Sequence, residues 1–234
     1  MTDNNENSGH RARLRERFLK SGLEGFHDYE VVELLLTFAI PRRDVKPLAK
    51  KLIKDYKGLR GLLDATPEEL SATDGIGANA AVLIALIKEM AGAYLKERIE
   101  KKHVVSSAKD LLDYLNMTLS GEKVEKFLAV YLNSKNEILG VETLHEGTIN
   151  QTVVYPRKVI EKAFKHNARS VVFVHNHPSG DPTPSKTDRL LTDELVEAAR
   201  TVDIKVHDHI IIGKTRHTSL RDLGWLGEGR RRER

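Results

Sequence analysis

The hydrophobic pattern of this chain changes near Lys102, and this change restricts the fold more than any other feature of the sequence. From Ala12 to about Lys102, apolar residues recur at every third or fourth position, which is typical of helices. Farther along, short apolar runs typical of strands alternate with helical segments. The sequence therefore predicts an all-α domain at residues 10–102 and an α/β domain at residues 103–227. A chain of 234 residues has enough apolar material for two cores.

Both ends of the chain are polar. Residues 1–9 lack any apolar period, so we expect a disordered leader there, and residues 228–234 form a basic tail. The formal net charge is only +4, so the overall attraction to nucleic acid is weak. The tail and a second basic cluster could each contact phosphate or only keep an exposed surface solvated. That second cluster consists of Arg11, Arg13, Arg15, Arg17 and Lys20.

Cysteine is absent, which excludes disulfides, thiolate metal sites and cysteine nucleophiles and fits a reducing cytosol. No signal-peptide pattern opens the sequence, and no apolar run approaches the length of a membrane span. We therefore expect a cytoplasmic protein with no membrane partner. The sequence leaves the oligomeric state open.

Prolines and caps divide the helical domain. Pro41 ends an apolar helix at residues 31–38, and Pro47 begins another. The sequence Thr66-Pro67-Glu68-Glu69 has the pattern of a capping box with a first-turn proline. These signals predict several short helices and one longer helix that carries Val82 to Met90.

The sequence Asp74-Gly75-Ile76-Gly77 separates the short capped helix from the longer one and resembles the hairpin of helix-hairpin-helix modules. Glycines permit the tight turn, and the amides of Gly77, Ala78 and Asn79 at a helix N-terminus can bind a DNA phosphate. Such contacts read no base, so binding would be independent of sequence. Because no Lys or Arg follows until Lys88, a structural or protein-contacting hairpin stays an alternative.

The α/β domain is read from its apolar runs and helix signals. The charged stretch Lys96 to Lys102 is interpreted as a linker. Helices are expected from Pro156, with Phe164 facing a core, and from Lys186 to about Val202. The predicted strands are residues 127–132, 138–144, 170–174 and 205–212.

The segment from His175 to Asp188 follows a buried strand and holds the residues best suited to chemistry. Since side chains at i and i+2 of a strand point the same way, His175 and His177 share one face. Two imidazoles there can ligate zinc at about 2.0–2.1 Å. The Pro- and Gly-rich turn that follows is short enough to bring Asp188 to the same ion. Three ligands leave one tetrahedral position open for water, as in catalytic zinc sites.

Several alternatives to this zinc site stay open. Ser185-x-x-Asp188 also fits a capping box, so Asp188 could cap the next helix instead of ligating. Asp181 could replace it as ligand, although its place between Gly180 and Pro182 suggests a turn residue. His207 and His209 repeat the His-x-His spacing. They could form a second site or line a substrate channel, or one could be a core histidine or support the first site while the other faces solvent.

The order His175-x-His177-Pro178, then Ser185-x-x-Asp188, resembles the zinc-binding signature of the JAB/MPN (JAMM) metallopeptidases. The longer string from His175 to Pro182, with Tyr155-Pro156-Arg157 before it and Asp208-His209-Ile210-Ile211 after it, resembles the bacterial RadC-like family. The resemblance covers the chain after the leader. It implies a JAB/MPN-type α/β/α sandwich, cytidine-deaminase-like in fold, for the C-terminal domain.

The same resemblance implies a Zn²⁺ cofactor held by His175, His177 and Asp188, with Ser185 near the developing oxyanion. It also implies a glutamate that takes a proton from zinc-activated water and returns it to the leaving amine. We expect Glu125 in this role because it stands directly before the strand at residues 127–132. Glu142 is the main rival and Glu146 a weaker one.

The leading expectation is therefore a zinc-dependent hydrolase of the JAMM peptidase or isopeptidase type, acting on an amide bond of a protein or peptide. A second hypothesis is a DNA-binding protein of repair or recombination in which zinc is structural and no peptidase activity exists. A third is a metal-dependent nuclease, suggested by His175-Asn176-His177. The three residues are adjacent, whereas that nuclease motif is spread along a ββα unit.

Overall fold

The structure, a computed structural model, describes residues 3–100, 108–147, 149 and 154–226. It divides into two compact units, Met1–Met90 and Ala91–Arg234. The domain boundary expected near residue 102 lies outside the described residues and stays a prediction, as does the basic tail at residues 228–234.

The N-terminal unit is helical, as the sequence predicts. The first helix begins at Asp3, so residues 3–9 are helical and differ from the disordered leader expected there. Among the described residues, six helices lie in or begin in this unit: α1 (Asp3–Ser21), α2 (Asp28–Ala39), α3 (Lys46–Asp55), α4 (Leu59–Leu63), α5 (Pro67–Ser71) and α6 (Ala78–Ile99).

The core of the N-terminal unit is formed by leucines and small apolar residues of these helices, and Leu36, Leu52 and Leu70 are fully buried. The predicted capping box is confirmed: Thr66 Oγ1 accepts from Glu69 N at 3.3 Å, and Glu69 accepts from Thr66 N at 3.0 Å. Phe38, the last residue of the apolar run expected at residues 31–38, is 68% exposed, because it points away from the buried stripe of α2.

Helix α6 is the one described helix that is long and apolar enough to cross a membrane by length and composition. This finding differs from the expectation that no apolar run of the sequence approaches the length of a membrane span. Core helices of soluble proteins meet the same criteria, so this feature is weak evidence for a span.

The C-terminal unit combines helices with strands. Its described elements, in chain order, are α7 (Ala108–Leu119), β1 (Lys126–Leu132), β2 (Ile138–Glu146), α8 (Pro156–Lys165), β3 (Ser170–Asn176), α9 (Lys186–Arg200), β4 (Lys205–Ile212) and β5 (His217–Ser219). These five strands form one sheet with the order β2-β1-β3-β4-β5. Strands β3 and β4 are parallel and are joined through α9, whereas the other neighbours are antiparallel.

Helices cover both faces of this sheet. Alternate residues of each strand point to opposite sides, so each strand contributes side chains to both layers of packing. Val130 and Val172 pack in one cluster with residues of α7, such as Leu115. Ala129 and Phe173 pack in a second cluster with residues of α8 and α9. This arrangement confirms a helical N-terminal part followed by a mixed α/β part. The hairpin-module and deaminase-like descriptions stay predictions.

The structure differs from the sequence-based expectation at several elements. Helix α7 and strand β5 were not anticipated, and β3 continues two residues beyond its expected end, to Asn176. Phe164 of α8, expected to face the core, is 58% exposed. The longer β3 matters for the site, because it makes His175 part of the sheet.

Candidate metal centre

Four side chains meet at the C-terminal end of β3: Glu125, His175, His177 and Asp188. One ligand atom from each lies within 4.8 Å of the others. His175 Nε2 is 3.0 Å from His177 Nε2 and 3.2 Å from Asp188 Oδ1, and His177 Nε2 is 3.5 Å from Asp188 Oδ2. Ligand atoms around a tetrahedral zinc ion, with bonds of 2.0–2.1 Å, are about 3.3–3.4 Å apart. The three closest groups are therefore spaced as zinc ligands are.

His175 is fully buried, because its strand pairs with β1 on one side and with β4 on the other. In the β1 pairing, Phe127 lies opposite His175, and the two rings stack with centroids 6.2 Å apart. The strand and this ring fix the direction in which the His175 imidazole points. Its Nε2 atom faces the other three groups.

His177 lies just after β3 and is oriented by the turn that follows. Its main-chain amide donates to Ile212 O at 2.9 Å, and its Nδ1 lies 2.8 Å from Asp181 O. Since a carbonyl only accepts, Nδ1 carries the hydrogen and the neutral ring presents a lone pair at Nε2. In the tautomer that binds zinc through Nε2, His175 presents a lone pair to the same point. Two lone pairs 3.0 Å apart repel unless a proton or a cation lies between them, so this donor set fits a cation.

Asp188 both caps α9 and faces the two histidines. Its Oδ2 accepts from Ser185 N at 2.6 Å, and Asp188 N donates to Ser185 Oγ at 3.1 Å, which completes a capping box. Its Oδ1 lies 3.2 Å from His175 Nε2. The sequence presents capping and ligation as competing roles. In the structure one carboxylate serves both, since Oδ2 caps the helix beside His177 and Oδ1 faces His175 without taking part in the cap.

Electrostatics in this cluster favour a negative carboxylate next to positive charge. Burial raises the pKa of Asp188, but without a metal the protonated imidazoles of His175 and His177 donate to the carboxylate, and these bonds, together with the charge of His175, hold the pKa well below its ordinary value. The hydrogen bond with Asp188 raises the pKa of His177, although burial opposes this. The cluster therefore favours binding of a proton or a metal cation at its centre.

Glu125 joins the cluster from a different segment, directly before β1. Its main-chain carbonyl accepts from Gly147 N at 2.8 Å, and its Oε2 accepts from Ile149 N at 3.0 Å. The buried side chain of Asn176 holds the segment in place: it accepts from Lys126 N at 2.8 Å and donates to Val124 O at 3.2 Å. The end of β3 thus fixes the position of Glu125.

The rival glutamates do not reach the cluster. Glu142 stands opposite Ala129 in the β1–β2 pairing, and its carboxylate contacts Lys162 and lies 2.6 Å from His166 Nε2. Glu146 is exposed, with its carboxylate 3.9 Å from Lys126 Nζ. Among the three candidates, the structure brings only Glu125 to the histidines.

The alternative ligands also lie elsewhere. The Asp181 carboxylate accepts from Thr183 and from Arg216, so this residue contributes its carbonyl, and not its side chain, to the orientation of His177. His207 Nε2 lies 2.8 Å from Asn136 Oδ1, outside the cluster. Neither residue belongs to the four-residue cluster.

His209 lies directly behind His175 in the core. Its Nε2 is 2.8 Å from His175 Nδ1, and its Nδ1 is 2.6 Å from Thr192 Oγ1. Burial lowers the pKa of His209 well below its ordinary value, which favours the neutral ring. Sequence reasoning left the role of His209 open and missed Thr192. A polar residue four positions after Asp188, on the inner face of α9, was the available signal.

The turn between His177 and Ser185 packs closely against the β4–β5 turn. A β-carbon on Gly213 would lie 2.5 Å from Gly180 O and 2.7 Å from Pro182 Cδ. Lys214 N donates to Gly180 O at 2.9 Å. The turn that orients His177 therefore packs against Gly213, a position that only glycine can occupy without a shift of the backbone.

In the N-terminal unit, residues 74–77 form a turn before α6, and their description as the hairpin of a helix-hairpin-helix module stays a prediction. Gly75 has φ +92°, a conformation that favours glycine. Arg43 Nη1 lies 3.4 Å from the position that a β-carbon on Gly75 would take. The sequence around the hairpin lacks a nearby basic residue, and the fold supplies Arg43 from the α2–α3 connection.

Comparison with known proteins follows the same division of the chain. Residues 105–225 match the RadC-like JAB domain, and residues 7–82 match the UPF0758 N-terminal family. UPF0758 proteins of Fusobacterium nucleatum, Rhodobacter capsulatus and Ruegeria pomeroyi are 38%, 38% and 39% identical to this chain. These alignments cover 94%, 91% and 93% of this chain and 98%, 100% and 97% of the relatives. The resemblance to the RadC-like family is confirmed, and the chain belongs to the UPF0758 family with a RadC-like JAB domain in its C-terminal part.

Proposed function

We propose that this protein is a zinc-dependent hydrolase of the JAMM peptidase or isopeptidase type, which cleaves an amide bond of a protein or peptide. The observation that carries the proposal is the position of Glu125: one of its carboxylate oxygens lies within 4.8 Å of a ligand atom of each of His175, His177 and Asp188. A purely structural site needs no further carboxylate beside its ligands, whereas hydrolysis needs a group that moves a proton. Because the chain holds no cysteine, we place the activity in the cytoplasm.

Three side chains would hold the ion: His175 and His177 through Nε2, and Asp188 through Oδ1, the oxygen that is not bonded to Ser185 N. A bound zinc ion supplies Lewis acidity and lowers the pKa of water to about 7. Burial of His175 and Asp188 keeps bulk water from competing for them. The ligand set is thus held ready by the strand, the turn and the helix cap.

Glu125 is the proton carrier in this proposal. It takes the proton from the attacking water as the C–O bond forms, and it delivers that proton to the amine nitrogen as the C–N bond breaks. Ser185 Oγ accepts from Asp188 N, which leaves its hydroxyl hydrogen free to donate to the carbonyl oxygen of the substrate. That donation stabilises the negative charge on this oxygen in the transition state.

Two measurements test the proposal together. Purified wild-type protein should contain about one zinc per chain, and His177→Ala should contain much less. The zinc-loaded wild type should also hydrolyse members of a fluorescence-quenched peptide library or a lysine isopeptide reporter. Equal zinc content in the two proteins would contradict the site, and a zinc-loaded protein that cleaves neither probe would contradict the activity on these amide bonds.

We infer a second candidate function, DNA contact that is independent of sequence, for the N-terminal unit. The supporting observation is Arg43 beside Gly75 at the start of α6, because a cation next to exposed helix amides favours phosphate. Arg43→Ala should weaken binding of a fluorescent duplex at low salt, whereas Lys54→Ala removes an equal charge elsewhere in the unit. Equal binding by the two variants, or no binding by the wild type at low salt, would contradict this function.

A further inference from the structure

We propose that Thr192 and His209 are positioning residues that fix the tautomer of His175, so that its Nε2 lone pair faces the metal. The inference rests on the proposed function, in that it takes His175 as a zinc ligand. It adds two residues, neither of them a ligand, that set how strongly the ion is held.

A continuous chain of hydrogen bonds links one proposed ligand to another through the core. Thr192 Oγ1 donates to the main-chain oxygen of Asp188 at 2.5 Å and lies 2.6 Å from His209 Nδ1. The other nitrogen of that ring, His209 Nε2, lies 2.8 Å from His175 Nδ1. The chain therefore begins at the carbonyl of Asp188 and ends at the ring of His175.

The direction of every donation follows from the carbonyl at the start. A carbonyl oxygen only accepts, so the single hydroxyl hydrogen of Thr192 is used there. Thr192 must then accept from His209, which places a hydrogen on His209 Nδ1. A neutral His209 ring has a lone pair at Nε2, and this atom accepts from Nδ1 of His175. His175 is left with a lone pair at Nε2, the atom that faces Asp188 and His177.

The surroundings make this chain difficult to replace. Thr192, His209 and His175 are each at most 1% exposed. Phe127 lies edge-on to the His209 ring, with centroids 5.4 Å apart, and Phe173 lies edge-on at 6.1 Å. Because both neighbouring rings are apolar and His209 is buried, loss of the threonine hydroxyl removes the partner of a buried N–H. The His209 ring can then turn or change tautomer, and His175 loses its fixed orientation.

The experiment compares zinc affinity in wild type, Thr192→Val and Thr192→Ser by competition with a chelator. Thr192→Val keeps the shape of the side chain and removes the hydroxyl, so zinc should bind about 10–100-fold more weakly. Thr192→Ser restores the hydroxyl and should bind zinc within about threefold of wild type. Thr118→Val is the matched control, since Thr118 also donates to a helix carbonyl, Tyr114 O at 2.9 Å, on the opposite face of the sheet.

A spectroscopic readout separates positioning from mere stability. In ¹⁵N-detected NMR of the zinc-loaded wild type, His209 should be protonated at Nδ1 and unprotonated at Nε2. A proton on His209 Nε2, or wild-type zinc affinity in Thr192→Val, would overturn this inference while leaving the proposed function intact. If the wild type itself binds no zinc, the proposed function fails first, and this inference fails with it.

Discussion

The carboxylate of Asp188 approaches the imidazole of His175 to 3.2 Å through Oδ1, while Oδ2 of the same group caps the helix that carries it. The cap restricts the rotation of the carboxylate, because Ser185 N holds Oδ2 at 2.6 Å. The start of α9 and the proposed ion site are therefore one structural unit. Any change that loosens the first turn of the helix should reach the site.

Ser185→Ala tests this coupling. The variant loses the side-chain acceptor for Asp188 N, which should cost about 1 kcal/mol of stability, and it should also weaken zinc binding. Thr66→Ala removes the equivalent acceptor of the α5 capping box and should reduce stability alone. Thermal unfolding and chelator competition measure the two effects. If Ser185→Ala binds zinc as tightly as Thr66→Ala does, the coupling is absent.

Zinc should stabilise the folded chain. A ligand that binds only the folded state at 100 times its dissociation constant adds about 2.7 kcal/mol to the free energy of unfolding. We expect added zinc to raise the Tm of the wild type, and EDTA to reverse the shift. His177→Ala should show little shift, whereas His207→Ala, which lies outside the cluster, should respond as the wild type does. A normal shift in His177→Ala would contradict its role as ligand.

Glu125→Gln should separate zinc binding from hydrolysis. The amide cannot take a proton from water, so the rate on any cleaved probe should fall by about 100-fold or more, while zinc content stays near one per chain. Glu142→Gln is the control because Glu142 contacts Lys162 and His166 and not the cluster. Hydrolysis that survives in Glu125→Gln and is lost in Glu142→Gln would reverse this assignment.

Glu142 should instead affect stability in a pH-dependent way. Burial raises the pKa of Glu142. Hydrogen bonds with Lys162 and His166, together with their positive charges, lower it by a larger amount, so the pKa lies below its ordinary value. A carboxyl of this kind stabilises the folded state above its unfolded pKa, and the contribution is lost as pH falls through its folded pKa.

Glu142→Gln should therefore lower the Tm near pH 7, and its difference from wild type should shrink as pH falls below about 4. Glu146→Gln, at an exposed position, should differ little from wild type at either pH. A Tm deficit of Glu142→Gln that is constant between pH 7 and pH 3.5 would show that the charge plays no part.

Gly213→Ala probes the packing beneath the His177 turn. Its β-carbon would overlap Gly180 O and Pro182 Cδ, so backbone must shift, at a cost of about 1–3 kcal/mol. The shift should also weaken zinc binding, since Asp181 O orients His177. Gly77→Ala, whose β-carbon would meet open space, should leave zinc affinity unchanged. Unaltered unfolding and zinc binding in Gly213→Ala would contradict the close packing described for this turn.

The grouping of His175, His177 and Asp188 could be predicted from the sequence because its parts are local. His175 and His177 are related by strand alternation, and Asp188 is related to Ser185 by a capping pattern, all within one segment. Each of these rules needs only neighbours in the chain. The division of Asp188 between two roles could not be predicted, since it depends on which oxygen faces which partner.

The remaining parts depend on contacts distant in sequence. The choice of Glu125 over Glu142 follows from the β1–β3 pairing, which sets Phe127 opposite His175. The hydrogen bond between Asn176 and Lys126 joins residues that are fifty positions apart in the chain. His209 reaches His175 through the parallel β3–β4 pairing, whose register shifts between Val171 and Val172. No periodicity in a single sequence reports that shift.

The Asn176 side chain forms hydrogen bonds with residues 124 and 126. Glu125 is therefore held beside residues 175–188, which carry the proposed ion ligands, but it belongs to a different part of the chain. The residues that would bind the ion and the residue that would transfer the proton thus lie in separate segments of the sequence, and each can be substituted without the other. A descendant could lose Glu125 and still carry a fully occupied ion site. Metal content alone is therefore a poor criterion for activity among relatives of this protein, and the identity of the residue before β1 is the better one.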